Sequence, residues 1–263
     1  MKKIVVLVDL TESSKPALLQ AAVIARKSGA DIVALHIAGE TESDAVQADH
    51  VESFVKQYTG DSLPVQVMIG HGKFLTVIPG YVAQQSPDLV VMCTHGIRGI
   101  AQNLFGADIL KLVHAIQFPC LVVQEKTTVN PNGIQRIMIP ASPYPDYMVK
   151  VKHASIVAKL FNAEIVHYEI DKYVGNSEEE IAENKKLAEL YLKAEGVAFS
   201  SVLEDNKSMS LGYAGQTVQF AKTNGMDAIA LTSDTHHEDM VMGKPDKEKF
   251  LTNDLAIPIL CCQ

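Results

Sequence analysis

The sequence has no tryptophan, 6% aromatic residues, four cysteines and no apolar run that approaches the length of a membrane span. A bilayer-crossing helix needs about 20 consecutive apolar residues, so this composition excludes a helical membrane protein. Cys93, Cys120, Cys261 and Cys262 follow no Cys-x-x-Cys or framework spacing, and two of them are vicinal, which excludes a disulfide scaffold and reads as reduced, packed thiols. Basic charge is also short. Lys and Arg number 23 against 31 Asp and Glu, a net charge of −8, and such a field repels phosphate backbones and anionic lipid. Neither nucleic acid nor a membrane is an expected partner. The first apolar run, Ile4 to Val8, stops after five residues and falls short of the ~7–15 of a signal-peptide core, so the expected location is cytoplasmic.

What is present is a chain of 263 residues, 47% hydrophobic, long enough for one large domain or two small ones. An internal repeat decides for two. Laying Ala21 to Ile37 on Ala154 to Ile170, an offset of 133, makes identities of Ala21/Ala154, Ala25/Ala158, Ala30/Ala163, Ile32/Ile165, Val33/Val166 and Ile37/Ile170. Gly29 falls opposite Asn162, the two residue types that tolerate a left-handed conformation just past a helix end. Later the offset is 139, placing Asp88-Leu-Val-Val-Met on Asp227-Ala-Ile-Ala-Leu and Phe118-Pro-Cys-Leu on Ile257-Pro-Ile-Leu. A period this long means domain duplication rather than a solenoid. The expected domains are residues 1–126 and 134–263, joined through a segment of turn-forming residues that includes Asn130-Pro131-Asn132-Gly133.

Within each copy, apolar runs of four to six residues alternate with amphipathic stretches of about a dozen, the pattern of βαβ units around a buried parallel sheet. The spacing predicts strands near 3–8, 31–37, 65–69, 88–93 and 119–123 in the first copy, and helices near 12–28, 43–58, 74–85 and 106–116. Pro79-Gly80 should kink or delay the third helix. In the second copy, Glu178-Glu179-Glu180 after Ser177 puts carboxylates at the positive end of a helix. The predicted class is α/β: two tandem doubly wound domains, each an open, mainly parallel five-stranded sheet with helices on both faces.

Ligands of such sheets bind beyond the carboxyl ends of the strands. Those ends carry Asp9, His36-Ile37 and Cys93-Thr94-His95-Gly96-Ile97-Arg98, with Gly106-Ala107-Asp108 opening the next helix. These residues resemble the universal stress protein family, whose nucleotide signature is Gly, two residues, Gly, nine residues, then Gly and Ser or Thr. The ending Phe118-Pro119-Cys120-Leu121-Val122-Val123 is also similar to that family, and the likeness extends over both copies. The resemblance implies a Rossmann-like fold of the adenine-nucleotide alpha-hydrolase type. It further implies an adenine nucleotide, ATP with Mg2+, held by Asp9 and Ile37 around adenine, Gly96 and Gly106 along ribose and phosphates, and Arg98 as a phosphate contact beside His95. Two positions depart from the signature: Cys93 stands in place of the first Gly, and Ala107 in place of the Ser or Thr.

The second copy departs further. Ser142 takes the place of Asp9, Thr232-Ser233-Asp234-Thr235 that of Cys93 to Gly96, and Pro245 that of Gly106, while Asp246 and Glu248 occupy the helix start a phosphate would need. His236-His237-Glu238-Asp239 has metal-ligand residue types without a second cluster at ligand spacing, so it reads as a solvated loop. No nucleophile motif accompanies His36 or His95. Three readings stay open at this level. The chain is a non-catalytic stress-response protein with a nucleotide in its first domain, an interaction module for protein partners that binds none, or, with least support, a slow ATP hydrolase. The resemblance also implies pairing of the last strands, Leu121-Val122-Val123 with Leu260-Cys261-Cys262, as an intramolecular pseudo-dimer, and leaves a homodimer of chains open.

Overall fold

A computed structural model of the protein describes residues 1–38, 43–94, 108–171, 177–233 and 244–263. They fall into two compact units, Met1–Gly133 and Ile134–Gln263. The first runs β1 (Lys3–Leu7), a 3-10 turn (Glu12–Ser14), α1 (Lys15–Ser28), β2 (Asp31–Ala38), α2 (Asp44–Thr59), β3 (Val65–His71), α3 (Phe74–Gln85), β4 (Leu89–Thr94), α4 (Ile109–Ala115) and β5 (Cys120–Gln124). The second runs β6 (Arg136–Pro140), α5 (Tyr147–Phe161), β7 (Glu164–Ile170), α6 (Glu178–Ala194), β8 (Ala198–Glu204), α7 (Ser208–Thr223), β9 (Ala228–Thr232), α8 (Lys244–Leu251) and β10 (Ile259–Cys262).

In the first unit the strands lie in the order β3-β2-β1-β4-β5, and in the second β8-β7-β6-β9-β10. All of these neighbours are parallel. The sequence explains why. Ile4-Val5-Val6-Leu7, Leu89-Val90-Val91-Met92 and Ile137-Met138-Ile139 are at most 1% exposed, so both faces of these strands are covered, as a parallel sheet requires. The strands at the outer ends, β3 and β8, are mostly half-exposed or exposed. Order reverses at β1 and again at β6, and because parallel crossovers are right-handed, the helices before the reversal lie on one face and those after it on the other. Accordingly α1 packs with α2 and α3 with α4, and in the second unit α5 with α6 and α7 with α8.

Duplicated details go beyond strand count. α1 ends at Gly29 with φ 71° and α5 at Asn162 with φ 56°, both left-handed. The Asp before β4 and its counterpart before β9 clamp the start of the central strand. Asp88 Oδ2 accepts the backbone N–H groups of Lys2 and Lys3, at 2.5 and 3.0 Å, and Asp227 Oδ2 those of Gln135 and Arg136, at 2.8 and 3.0 Å. Partial burial opposes ionisation of Asp88, but the amide donors and nearby positive charge outweigh it and hold its carboxyl below the usual range. Removing a charge-assisted pair of bonds of this kind costs about 1–2 kcal/mol at a largely exposed site. Asp88→Ala and Asp227→Ala should each lower the urea midpoint of their own unit, and leave the other unit's midpoint in place.

Some local expectations are modified. The first helical stretch opens as a 3-10 turn before α1. α3 is continuous over 74–85 with Pro79 in its second turn, where only the Leu75 carbonyl loses an N–H partner, so the ring neither ends nor delays the helix. α7 instead is broken at Gly212, whose φ of 70° is open to glycine. α6 begins with Glu178, Glu179 and Glu180 in its first turn. All four cysteines are free and buried, and burial pushes the Cys261 thiol up to about 12, far from a reactive thiolate. No described helix is long and apolar enough to cross a membrane.

Candidate functional site

The strand ends of the first unit meet beyond β1, β2 and β4. Register pairs Leu7 with Leu35, so two residues further on Asp9 stands level with Ile37 on the neighbouring strand. Two bonds lock this end. Val8 N–H donates to the Leu35 carbonyl at 3.0 Å, and His36 Nδ1–H donates to the Val8 carbonyl at 2.8 Å. His36 is therefore a strap rather than a catalytic base, and the carbonyl it faces fixes its tautomer.

Asp9 turns the chain from strand into helix. Its Oδ1 accepts the Thr11 N–H at 3.0 Å, the Thr11 hydroxyl at 2.8 Å and the Ser14 hydroxyl, while its own N–H donates to Ser14 Oγ at 3.0 Å. The intervening Leu10 adopts φ 59°, a left-handed conformation that costs a branched residue about 1–2 kcal/mol and that these bonds hold in place. The Asp9 carboxylate is thus held in place by its own turn. Ile37 is half-buried and packs on Gly70, level with it on β3, where a Cβ would lie 2.7 Å from Ile37 Cδ1 and 2.7 Å from Tyr81 Cε2. Gly70 serves this close packing, not a phosphate. Cys93 is 5% exposed, and burial, then the charges of Asp9 and Glu125, push its thiol well above the usual range. Asp9, Ile37 and Cys93 are therefore brought together. His95, Gly96, Arg98, Gly106 and Ala107 lie outside the described residues. At the start of α4, Asp108 is paired with Lys111 at 2.7 Å, which offsets the one carboxylate there.

The same place in the second unit is built differently. Ser142 is 7% exposed and Ile170 3%, whereas Asp9 and Ile37 are only half-buried. Larger side chains stand at the neighbouring positions. At the 133-residue offset, Tyr147 stands for Ser14 and Lys150 for Ala17, and by register Glu204 beside Ile170 stands for Gly70 beside Ile37. Tyr147 is wholly buried with its hydroxyl 2.6 Å from His167 Nδ1. Lys150, 2% exposed, donates to the Pro140 carbonyl at 3.1 Å and lies 5.1 Å from the Tyr147 ring centroid. Glu204 accepts the Tyr168 hydroxyl at 2.6 Å. Asn184 closes the β6–α5 turn by donating to the Ser142 and Tyr144 carbonyls, and Thr232 donates to Asp146 Oδ2 at 2.9 Å. Asp246 is 3.7 Å from Lys249, and residues 234–243, with Thr235 and the His236–Asp239 cluster, lie outside the described residues. Among the described residues no group of three metal-ligand side chains converges.

Tyr147, Lys150 and Glu204 are the residues sequence reasoning overlooked. The signal was available for two of them, because the offset that pairs Ala21 with Ala154 also pairs Ser14 with Tyr147 and Ala17 with Lys150. For Glu204 the offset has slipped by one residue, and only strand pairing shows it opposite Gly70.

A doubly wound parallel sheet with its polar residues gathered at the carboxyl ends of the central strands defines a Rossmann-like α/β protein. Residues 1–124 match the model of the Universal stress protein family. Over its full length the chain shares its fold with a universal stress protein from Archaeoglobus fulgidus DSM 4304, at 15% identity over 99% of this chain and 96% of that one, with a TM-score of 0.70. A functionally unknown protein from Pseudomonas aeruginosa PAO1 is similar at 14% identity over 100% and 92% of the two chains, with a TM-score of 0.66. A universal stress protein family protein from Arabidopsis thaliana, solved with AMP bound, is 20% identical over 50% of this chain and 99% of that one, with a TM-score of 0.36. No curated protein matches the sequence.

Proposed function

We propose that this chain is a non-catalytic stress-response protein of two universal stress domains, residues 1–126 and 134–263, whose first domain takes an adenine nucleotide. The observation that carries the reading is the contrast at the two equivalent strand ends. Asp9 and Ile37 are half-buried, Asp9 beside Ser14 and Ile37 beside Gly70, while their counterparts Ser142 and Ile170 are buried, with Tyr147 at the place of Ser14 and Glu204 at the place of Gly70. The family match over residues 1–124 supports it. ATP is the expected form, with Asp9 and Ile37 at the base, Gly96, Arg98 and Gly106 at the phosphates, and Mg2+ accompanying them. The polar network of Asp9 supports a role in orientation and binding.

Equilibrium dialysis of the full chain against radiolabelled ATP with Mg2+ tests this. One nucleotide per chain is expected, and its binding should be weakened by Ile37→Glu and unaffected by Ser142→Ala. Two per chain would overturn the asymmetry. No retained nucleotide at millimolar ATP would favour the reading as an interaction module, for which the buried Cys93 thiol at a signature glycine position already speaks.

A further inference from the structure

Among the described residues of the second unit, two titratable side chains carry a buried polar atom without a hydrogen-bond partner, Asp146 at Oδ1 and His167 at Nε2, and the position of His167 makes it a control point. His167 is 1% exposed on β7, facing α5. Its Nδ1 lies 2.6 Å from the Tyr147 hydroxyl, and the two rings meet edge-on at 5.6 Å and 74°. Its Nε2 has no hydrogen-bond partner, since the nearest carboxylate oxygen, Glu169 Oε2, is 3.8 Å away. We propose that His167 is an acid-sensitive latch, holding the first turn of α5 on β7 while neutral and releasing it when protonated.

The chemistry follows from the donor count. The Tyr147 phenol stays protonated, because burial pushes its pKa up, and it donates to Nδ1, which leaves the imidazole proton on Nε2 toward Glu169. A second proton must go onto Nδ1, which ends its role as acceptor; the Tyr147 oxygen can then accept from Nδ1–H only by turning its own hydrogen away from its one hydrogen-bond partner, which strands a buried donor. It also places an imidazolium among charges that do not welcome it. From α5 the site faces Tyr147 and Lys150, from α6 Lys185, and from its own strand Glu169. The residues level with His167 on β6 and β8 are Ile139 and Ser201, which carry no charge. Burial is the largest influence and lowers the His167 pKa. The two lysines lower it further, and the Glu169 carboxylate, which raises it, does not compensate.

The sign is then fixed. The folded unit holds His167 below its ordinary value of about 6.5, so the open form binds more protons, and the latch is strongest above that value. As the pH falls through about 6.5 toward the folded value, opening becomes up to tenfold more favourable per pH unit. Tyr147 is the first residue of α5 and directly follows the Ser142–Asp146 turn, so its release would uncover the carboxyl end of the sheet in this unit. The same end is closed at neutral pH by Asn184, Lys150 and Thr232.

Hydrogen exchange on the full chain at pH 7.5 and 5.5, corrected for intrinsic rates, tests the latch, together with an NMR titration of the His167 ring in the wild type. The expected result is a rise of up to about tenfold in the opening of α5 and β7 at the lower pH, with β1 and α1 unchanged, and loss of that rise in His167→Gln. The same pH dependence in His167→Gln, or a wild-type His167 titrating at or above 6.5, would overturn the proposal. If His167→Gln does not fold, the wild-type titration decides by itself, a depressed value supporting the latch and an ordinary one rejecting it.

Discussion

Replacing Tyr147 by alanine is expected to cost the second unit about 3–5 kcal/mol, the range for truncating a large buried aromatic. Tyr147 is 0% exposed at the first turn of α5, between β7 and Lys150, and its removal empties the space over the strand ends as well as unpairing His167 Nδ1. The two effects separate experimentally. Tyr147→Phe keeps the ring and loses only the hydroxyl, which leaves one buried acceptor unsatisfied at about 1–2 kcal/mol. Urea unfolding followed by a probe in each unit should show the Tyr147→Ala midpoint of the second unit shifted several times further than that of Tyr147→Phe. A Tyr147→Ala protein no less stable than Tyr147→Phe would mean that the ring does not fill this end of the sheet.

Gly70→Ala should destabilise the first unit by about 1–3 kcal/mol, against the general rule that alanine is the better strand residue. That rule is worth about 0.5–1 kcal/mol in alanine's favour. Here the added methyl would lie 2.7 Å from both Ile37 Cδ1 and Tyr81 Cε2, inside any real contact distance. Ile37 can turn its terminal methyl aside, but the Tyr81 ring is rigid, and its hydroxyl accepts the His71 N–H. Overpacking therefore wins. Tyr81→Ala in the Gly70→Ala background should recover part of the loss, giving a coupling of about 0.5–3 kcal/mol in a double-mutant cycle read by urea unfolding. Additive costs would show that the two side chains do not meet. Gly70→Ala should also weaken the proposed nucleotide site, because the side chain it displaces is Ile37.

The two substitutions probe one position from opposite directions. In the first unit, glycine at 70 keeps Ile37 close and the strand end slender. In the second, Glu204 at the matching place reaches the Tyr168 hydroxyl, and Tyr168 stacks at 4.6 Å on Phe220 of α7. The two units share their strand order and their clamps, Asp88 and Asp227, while the ends of their sheets differ.

Much of this was legible in the sequence because it is local or periodic. Apolar runs buried on both faces wrote the strands of a parallel sheet, Gly29 and Asn162 marked two helix ends, and offsets of 133 and then 139 residues pointed to a repeat. Asp9 and Ile37 could be set side by side from strand ends alone, since parallel pairing places the carboxyl ends of neighbouring strands together. Pro79 was misleading as a helix breaker because its cost depends on how many turns precede it, and only one does. Tertiary structure alone decided what fills the second site. Tyr147, His167 and Glu204 come from a helix start and two strands, 20 and 37 residues apart in turn, and no periodicity links them. Tyr147 meets His167 only when α5 lies across β7, and Glu204 comes beside Ile170 only when β7 and β8 pair in register, because contacts between distant segments depend on how the elements pack and not on any local pattern.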